Sequence, residues 1–158
     1  VLLSSNGRKI LREKPQITSD LIKHRTFLSG TLGAEYQNFL IRHNVSPDCR
    51  SPSKSDCFRD DEIRYLVERY RQIHDFSHVL CGRGITVPDE IALKVFEASQ
   101  FATPISALAA GAMVIRCPPS QWKPIPSLLI HHWNLGKVIP FVLTIPFEDK
   151  LETPLAQL

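Results

Sequence analysis

The chain has no Cys-x-x-Cys pair, no apolar run long enough to cross a bilayer and no stripe of basic residues. Each absence removes a class of function. The four cysteines, Cys49, Cys57, Cys81 and Cys117, are scattered through 158 residues. That is longer than the small secreted domains that depend on disulfide frameworks, and the cysteines read as reduced thiols in an intracellular compartment. The longest apolar run, Phe101 to Ile115, is interrupted by Pro104 and falls short of the ~20 residues that a spanning helix needs. Lys and Arg number 19 against 16 Asp and Glu, a formal net charge of +3. The basic residues are dispersed, so nucleic acid is not an expected partner. There is no internal repeat and no alternation of strand and helix patterns, which excludes a doubly wound nucleotide-binding sheet. The Gly-x-Gly of Gly82-Arg83-Gly84 has no strand before it and reads as a turn rather than a phosphate cradle. The chain opens on Val1 without a methionine and carries no signal-like apolar region. That leaves room for a leader or N-terminal segment removed from it, and targeting is not legible.

What is present suffices for a globular core: 43% of residues are hydrophobic and both charge signs are well mixed, and a single domain is the expectation. Residues 1–20 are polar and punctuated by Pro15, so they are expected to cross the surface. Leu32–His43 carries Leu32, Tyr36, Phe39 and Leu40 at helical spacing. Residues 44–58 are rich in Ser, Pro and Asp and read as a long loop. After Asp60 and Asp61, Ile63, Leu66, Val67, Tyr70, Ile73, Ser77 and Leu80 recur at three- and four-residue intervals, predicting one helix of about six turns that ends at Gly82. Thr86 with Asp89 forms a capping-box pattern, and with Pro88 in the first turn it predicts a second helix over about residues 87–101. Thr103-Pro104 opens a third, small-residue segment able to pack closely on a neighbour. Gln121 to Leu135 is a further helical stretch, interrupted early by Pro124 and Pro126 and closed by Gly136. The proline-rich tail fits neither strand nor helix cleanly. The fold class is mainly α: a single-domain helical bundle over residues 1–158 with a helical hairpin at its centre.

The chemistry concentrates in that hairpin. His74 and His78, four residues apart, share a helix face about 6 Å apart at Cβ, and Asp75 lies about 60° round from His78. A reversal at Gly82 and Gly84 brings Glu90 opposite the histidines. Two imidazoles and one or two carboxylates suit a borderline divalent cation. The spacing alone leaves a second reading open, in which His78 complements a helix dipole and Glu90 is a first-turn carboxylate. Cys81 is either a fourth ligand or a buried structural thiol. Tyr65 and Tyr70 read as core, and His131 and His132, being adjacent, diverge and read as surface or interface residues.

The pattern His74-Asp75-x-x-His78-x(11)-Glu90 resembles the HDxxHx(11)E signature of the coenzyme Q biosynthesis protein four family. Further segments extend the likeness: VSPDCRSP (45–52), DDEIRYLVERYRQIHD (60–75), EIALKVFEASQFATPISALAAGAMVIR (90–116), and Trp133 with Gly136. The resemblance covers about residues 8–150 and implies that the family's N-terminal part is missing before Val1. It implies a metal centre, Zn2+ foremost with iron or manganese as alternatives, in which His74, Asp75, His78 and Glu90 are both ligands and catalytic residues. It also implies removal of the C1 carboxylate of a polyprenylated 4-hydroxybenzoate-type precursor, with hydroxylation at that carbon. That would be lyase or oxidative decarboxylase chemistry, or presentation of the precursor to other pathway enzymes. The implied setting is the matrix face of the mitochondrial inner membrane, peripheral, with other coenzyme Q biosynthesis proteins in a multiprotein complex. The small-residue stretch Ile105 to Met113 is a candidate lining for the isoprenoid tail, and Arg64, Arg69, Arg71 and Arg83 are candidate contacts for an anionic head group. The alternative is a structural subunit of a larger mitochondrial assembly that keeps the metal as a staple.

Overall fold

Residues that halt or start the backbone ladder mark the helix ends along the chain. The computed structural model describes residues 4–49, 57–102 and 104–158. Parts of the VSPDCRSP segment and of the loop over 44–58 therefore lie outside the described residues. The fold is mainly α, as the patterning predicts. The helices are α1 (Ser5–Glu13), α2 (Leu32–His43), α3 (Asp61–Gln72), α4 (His74–Leu80), α5 (Val87–Phe101), α6 (Pro104–Arg116) and α7 (Ile125–Val138). Among the described residues no strand forms beyond one antiparallel bridge between Thr31 and Pro154. No helix there is long and apolar enough to cross a membrane. The chain divides into two compact units, residues 1–79 with 141–158, and residues 80–140.

In the first unit α1 forms where a surface crossing was expected. Ser4 accepts a hydrogen bond from Gly7 N at 2.8 Å, and Lys14 closes the helix in the left-handed region. Ile10 and Leu11 are then buried against Tyr65 of α3, with Leu66 packed beside them. Two apolar side chains on one face were enough to dock an otherwise charged segment. The N-terminus of α2 is satisfied from the far end of the chain. Leu32 N donates to Thr153 O at 2.9 Å and Gly33 N to Leu151 O at 2.8 Å, and Thr31 caps the helix. These are the amide donors that a helix start leaves without intrahelical acceptors. The tail resolves into short 3-10 turns at Val142–Thr144, Phe147–Asp149 and Leu155–Gln157, so proline kept it from becoming either regular structure. Its Phe147 completes an aromatic column: Tyr36 on α2 stacks on Phe76 of α4 at 3.8 Å between ring centroids, and Phe76 on Phe147 at 4.7 Å.

The second unit is built on α5, which packs against both α6 and α7. Ile91, Cys117 and Ile125 form its buried cluster, joined by Met113, Val114 and Leu129. The expected helix over 87–101 is α5, with its capping box formed by Thr86 and Asp89. Gly136 does not end α7, which runs on to Val138. Its role is close approach: a Cβ there would overlap the Ser99 side chain and stand 2.9 Å from the Phe96 carbonyl oxygen. Gln100 Nε2 then closes the helix end, donating to Gly136 O at 2.7 Å and Ile139 O at 2.9 Å. The small-residue helix α6 behaves differently. Ala107, Gly111 and Ala112 are exposed, and a Cβ on Gly111 would meet nothing within 4 Å.

The two glycines therefore predict opposite outcomes. Gly136→Ala should lower stability by about 1–3 kcal/mol because the backbone of α5 must shift to admit the methyl group. Gly111→Ala should raise it by up to about 1 kcal/mol through helix propensity alone. Thermal melts of the two variants check both signs.

Candidate metal centre

One helix of six turns was expected from Asp61 to Leu80; the structure places a break at Ile73, immediately before the first histidine. The Ile73 amide is shared between the carbonyls of Arg69 and Arg71, and its backbone sits at φ −82 and ψ −2. Those dihedrals lie in the bridge region rather than the helical one, so the regular ladder is interrupted there. Ser77 reinforces it: its hydroxyl donates back to Ile73 O at 3.1 Å, and its amide to the same oxygen at 2.9 Å. Such back-bonding competes with a straight ladder and bends helices. α4 thus begins at His74 as a separate short helix.

Within the first unit α4 brings the two histidines together as their spacing predicts. The rings of His74 and His78 lie 4.9 Å apart, edge to face at 88°. His74 is half-buried, and His78 is 1% exposed. Phe39 of α2 stacks on the His78 ring at 5.2 Å and 23°, which fixes the imidazole plane. No sequence signal singled Phe39 out for this, since its helical spacing marks it only as core. Asp75, next to His74 on α4, is buried.

In the second unit Glu90 stands in the first turn of α5. The Thr86 hydroxyl donates to Asp89 Oδ2 at 2.5 Å, and Glu90 N donates to Thr86 O at 2.9 Å. The capping box therefore sets where Glu90 projects. Three of the four expected ligands, His74, His78 and Glu90, make up a group that could hold a metal ion, and Asp75 is not in that group. Cys81 is not in it either. Burial pushes its thiol up to about 12, with the nearby Arg83 charge opposing and Glu97 adding to the rise. A thiol held protonated is a poor ligand, which favours the structural role for Cys81.

Two further expectations are corrected. Arg69 cannot meet a lipid head group, because it is fully buried. Its guanidinium grips Glu148 through two bonds, 2.6 and 3.2 Å, and donates to Ile145 O at 2.8 Å. Arg64 is engaged locally with Asp61 at 3.3 Å and Phe58 O at 3.0 Å. His132 is not a surface residue: it is 0% exposed while His131 is exposed. Its Nδ1 lies 2.9 Å from Leu128 O and its Nε2 accepts from Arg83 Nε at 3.1 Å, so Nδ1 carries the proton. Burial holds its pKa below the ordinary histidine value. Ile125, Leu128, His132 and Gly136 recur at helical spacing, and that signal in the sequence marks the buried face. Arg83, thus fixed, also approaches Asp89 at 3.8 Å.

Comparison with known proteins gives a consistent picture. The family model for coenzyme Q (ubiquinone) biosynthesis protein Coq4 matches residues 1–158. The ubiquinone biosynthesis protein COQ4, mitochondrial, of Candida dubliniensis is 43% identical over 118 residues, 73% of this chain and 36% of its own. The rat homologue, also named mitochondrial, is 37% identical over 157 residues, 96% of this chain and 58% of its own. The chain therefore spans less than two thirds of the length of either relative. A crystal structure of a Nostoc punctiforme protein superposes with a TM-score of 0.72 at 22% identity, covering 98% of this chain and 72% of that one, and shows the same fold.

Two measurements follow from these environments. Glu148→Gln leaves the Arg69 cation buried without its counter-charge, which should cost about 3–5 kcal/mol in chemical denaturation; an unchanged midpoint would mean the pair is not desolvated. Maleimide labelling of the native protein at mildly alkaline pH should modify the exposed Cys57 and spare Cys81 until the chain is unfolded.

Proposed function

The chain belongs to the coenzyme Q (ubiquinone) biosynthesis Coq4 family, and from that premise we propose that it is a metal-dependent component of ubiquinone biosynthesis. It acts on the head group of a polyprenylated 4-hydroxybenzoate-type precursor. The observation that carries the proposal is the donor set: one ligand atom from each of His74, His78 and Glu90, all within 4.8 Å of one another. Two imidazole nitrogens and one carboxylate fit Zn2+ best and also suit iron or manganese. Asp75, adjacent to His74 and buried, is assigned to the same centre as a fourth contributor. The polyprenylated precursor is taken from the matrix face of the mitochondrial inner membrane, where the chain works as one domain, peripherally, with other pathway proteins in a multiprotein complex.

The protein's own residues supply position and charge. Phe39 holds the His78 ring in its plane, and the break at Ile73 aims both histidines from one short helix. Glu90 adds the negative charge that two neutral imidazoles lack. Bound there, a divalent cation would supply Lewis acidity toward the head-group carboxylate or an adjacent oxygen. Loss of the C1 carboxylate with hydroxylation at the same carbon removes electrons from the ring. The oxidant is therefore dioxygen or a separate redox partner, since zinc does not change oxidation state.

Elemental analysis of the purified protein should find one metal ion per chain, and His74→Ala/His78→Ala should remove it. Glu90→Gln keeps size and one acceptor oxygen, so it should weaken metal affinity by about tenfold or more, the scale seen even for outer-shell partners, with the melt little changed. Unfolding of that variant in excess metal would instead mark the ion as a structural staple. In cells lacking their own family member, the chain should restore ubiquinone, and the double histidine variant should leave the carboxylated precursor accumulating. Normal ubiquinone with that variant would overturn the assignment.

A further inference from the structure

We infer that the outer face of α7 in the second unit docks on an anionic lipid surface. The inference locates the membrane partner of the proposed function, and it stands on residues that take no part in the metal centre. Its first support is a charge vacancy of one sign. All 16 acidic residues fall outside residues 98–147, which contain Arg116, Lys123 and Lys137, and all three cations are exposed. A solvated stretch of chain usually interleaves both signs, whereas this one carries no carboxylate of its own to repel phosphate.

Its second support is the exposed apolar side chains along the same stretch. Trp122 is 50% exposed, Ile130 67%, Trp133 43% and Val138 82%. Ile130, Trp133 and Lys137 follow at three- and four-residue spacing and so share a face of α7. Beside them an open groove of about 300 Å³ is lined by Val95, Leu129, Ile130, Trp133 and Asn134, so its walls are apolar except for one amide. The ammonium of Lys137 sits 5.3 Å from the centroid of the Trp133 ring. An indole with a lysine stem alongside presents an apolar body with a cationic tip, the arrangement that settles at the boundary of head groups and acyl chains. The groove itself can take part of an acyl chain. A second copy of this chain is a worse occupant, because a two-fold contact through this face would bring its own cations together.

Trp133 stands on this face, and with Trp122 replaced by Phe it is the one tryptophan of the chain, so intrinsic fluorescence then reports this face without labels. The test titrates the whole chain with vesicles of phosphatidylcholine alone and of phosphatidylcholine mixed with phosphatidylglycerol, including brominated acyl chains as quenchers. The inference predicts co-flotation with the anionic vesicles, a blue shift, quenching by the brominated lipid and weakening by salt. Lys123→Gln/Lys137→Gln should reduce affinity roughly ten- to thirtyfold, at about 1 kcal/mol per cation. Ile130→Glu should abolish binding while circular dichroism and metal content stay as in the wild type, which separates failure here from failure of the metal reading. No vesicle binding, or binding without a tryptophan shift, would overturn the inference. So would a blue shift produced by concentrating the protein without lipid, which would give the face to a second copy.

Discussion

A guanidinium with no exposed surface is the constraint that organises the first unit. Arg69 lies on α3 at the start of the turn that ends at Ile73, and its charge partner is Glu148, 79 residues further along the chain. A cation in that position must be neutralised and hydrogen-bonded, because an unpaired buried charge costs several kcal/mol. The tail can therefore settle only where Glu148 and the Ile145 carbonyl both reach Arg69. With the tail so held, Leu151 and Thr153 meet the first amides of α2, and Phe147 meets Phe76. Since an apolar pair of the same volume often gives equal or greater stability, the pair serves to fix position. What it positions is α4, whose first residue follows one turn later and carries His74.

The second unit solves a smaller version of the same problem. Glu90 is useful only if α5 starts at a fixed residue, and the reciprocal Thr86 and Asp89 bonds define that start. Asp89 and the neutral His132 hold Arg83 between them, so the turn that leads into α5 is tied to α7 by a charged side chain and a buried imidazole. Close packing of α7 on α5 at Gly136 makes that tie possible. A loop of short sequence becomes a defined one because its three polar groups have fixed partners.

Much of this was legible in the residues themselves. α2 and α5 have the bounds that apolar spacing and N-cap residues predict, because local propensity and tertiary packing agree there. The histidine pair was legible for the same reason: four residues on a helix fix a shared face whatever surrounds it. The break at Ile73 was not, since the apolar period continues through it and the cause is a shared amide and a serine back-bond. α1 was missed because its composition is mostly polar and its burial depends on Tyr65, far along the chain. Arg69 was read as a surface cation because nothing near it in sequence reveals Glu148, and His132 was read from its neighbour His131 rather than from the helical face it shares with Leu128. The misses at α1 and Arg69 are those of contacts distant in sequence, whereas the break at Ile73 is set by local hydrogen bonds and His132 by a helical spacing that adjacency to His131 obscured.

The central claim is that two histidines and a carboxylate, with no sulfur, hold a functional metal ion. X-ray absorption spectroscopy at the metal edge of the protein as purified tests it most directly. The account predicts a first shell of nitrogen and oxygen only, with the outer-shell scattering of two imidazoles, lost together with the metal when His74 and His78 are replaced. A sulfur scatterer at the distance of a metal thiolate, about 2.3 Å for zinc, or a spectrum unchanged by the histidine substitutions, would contradict it.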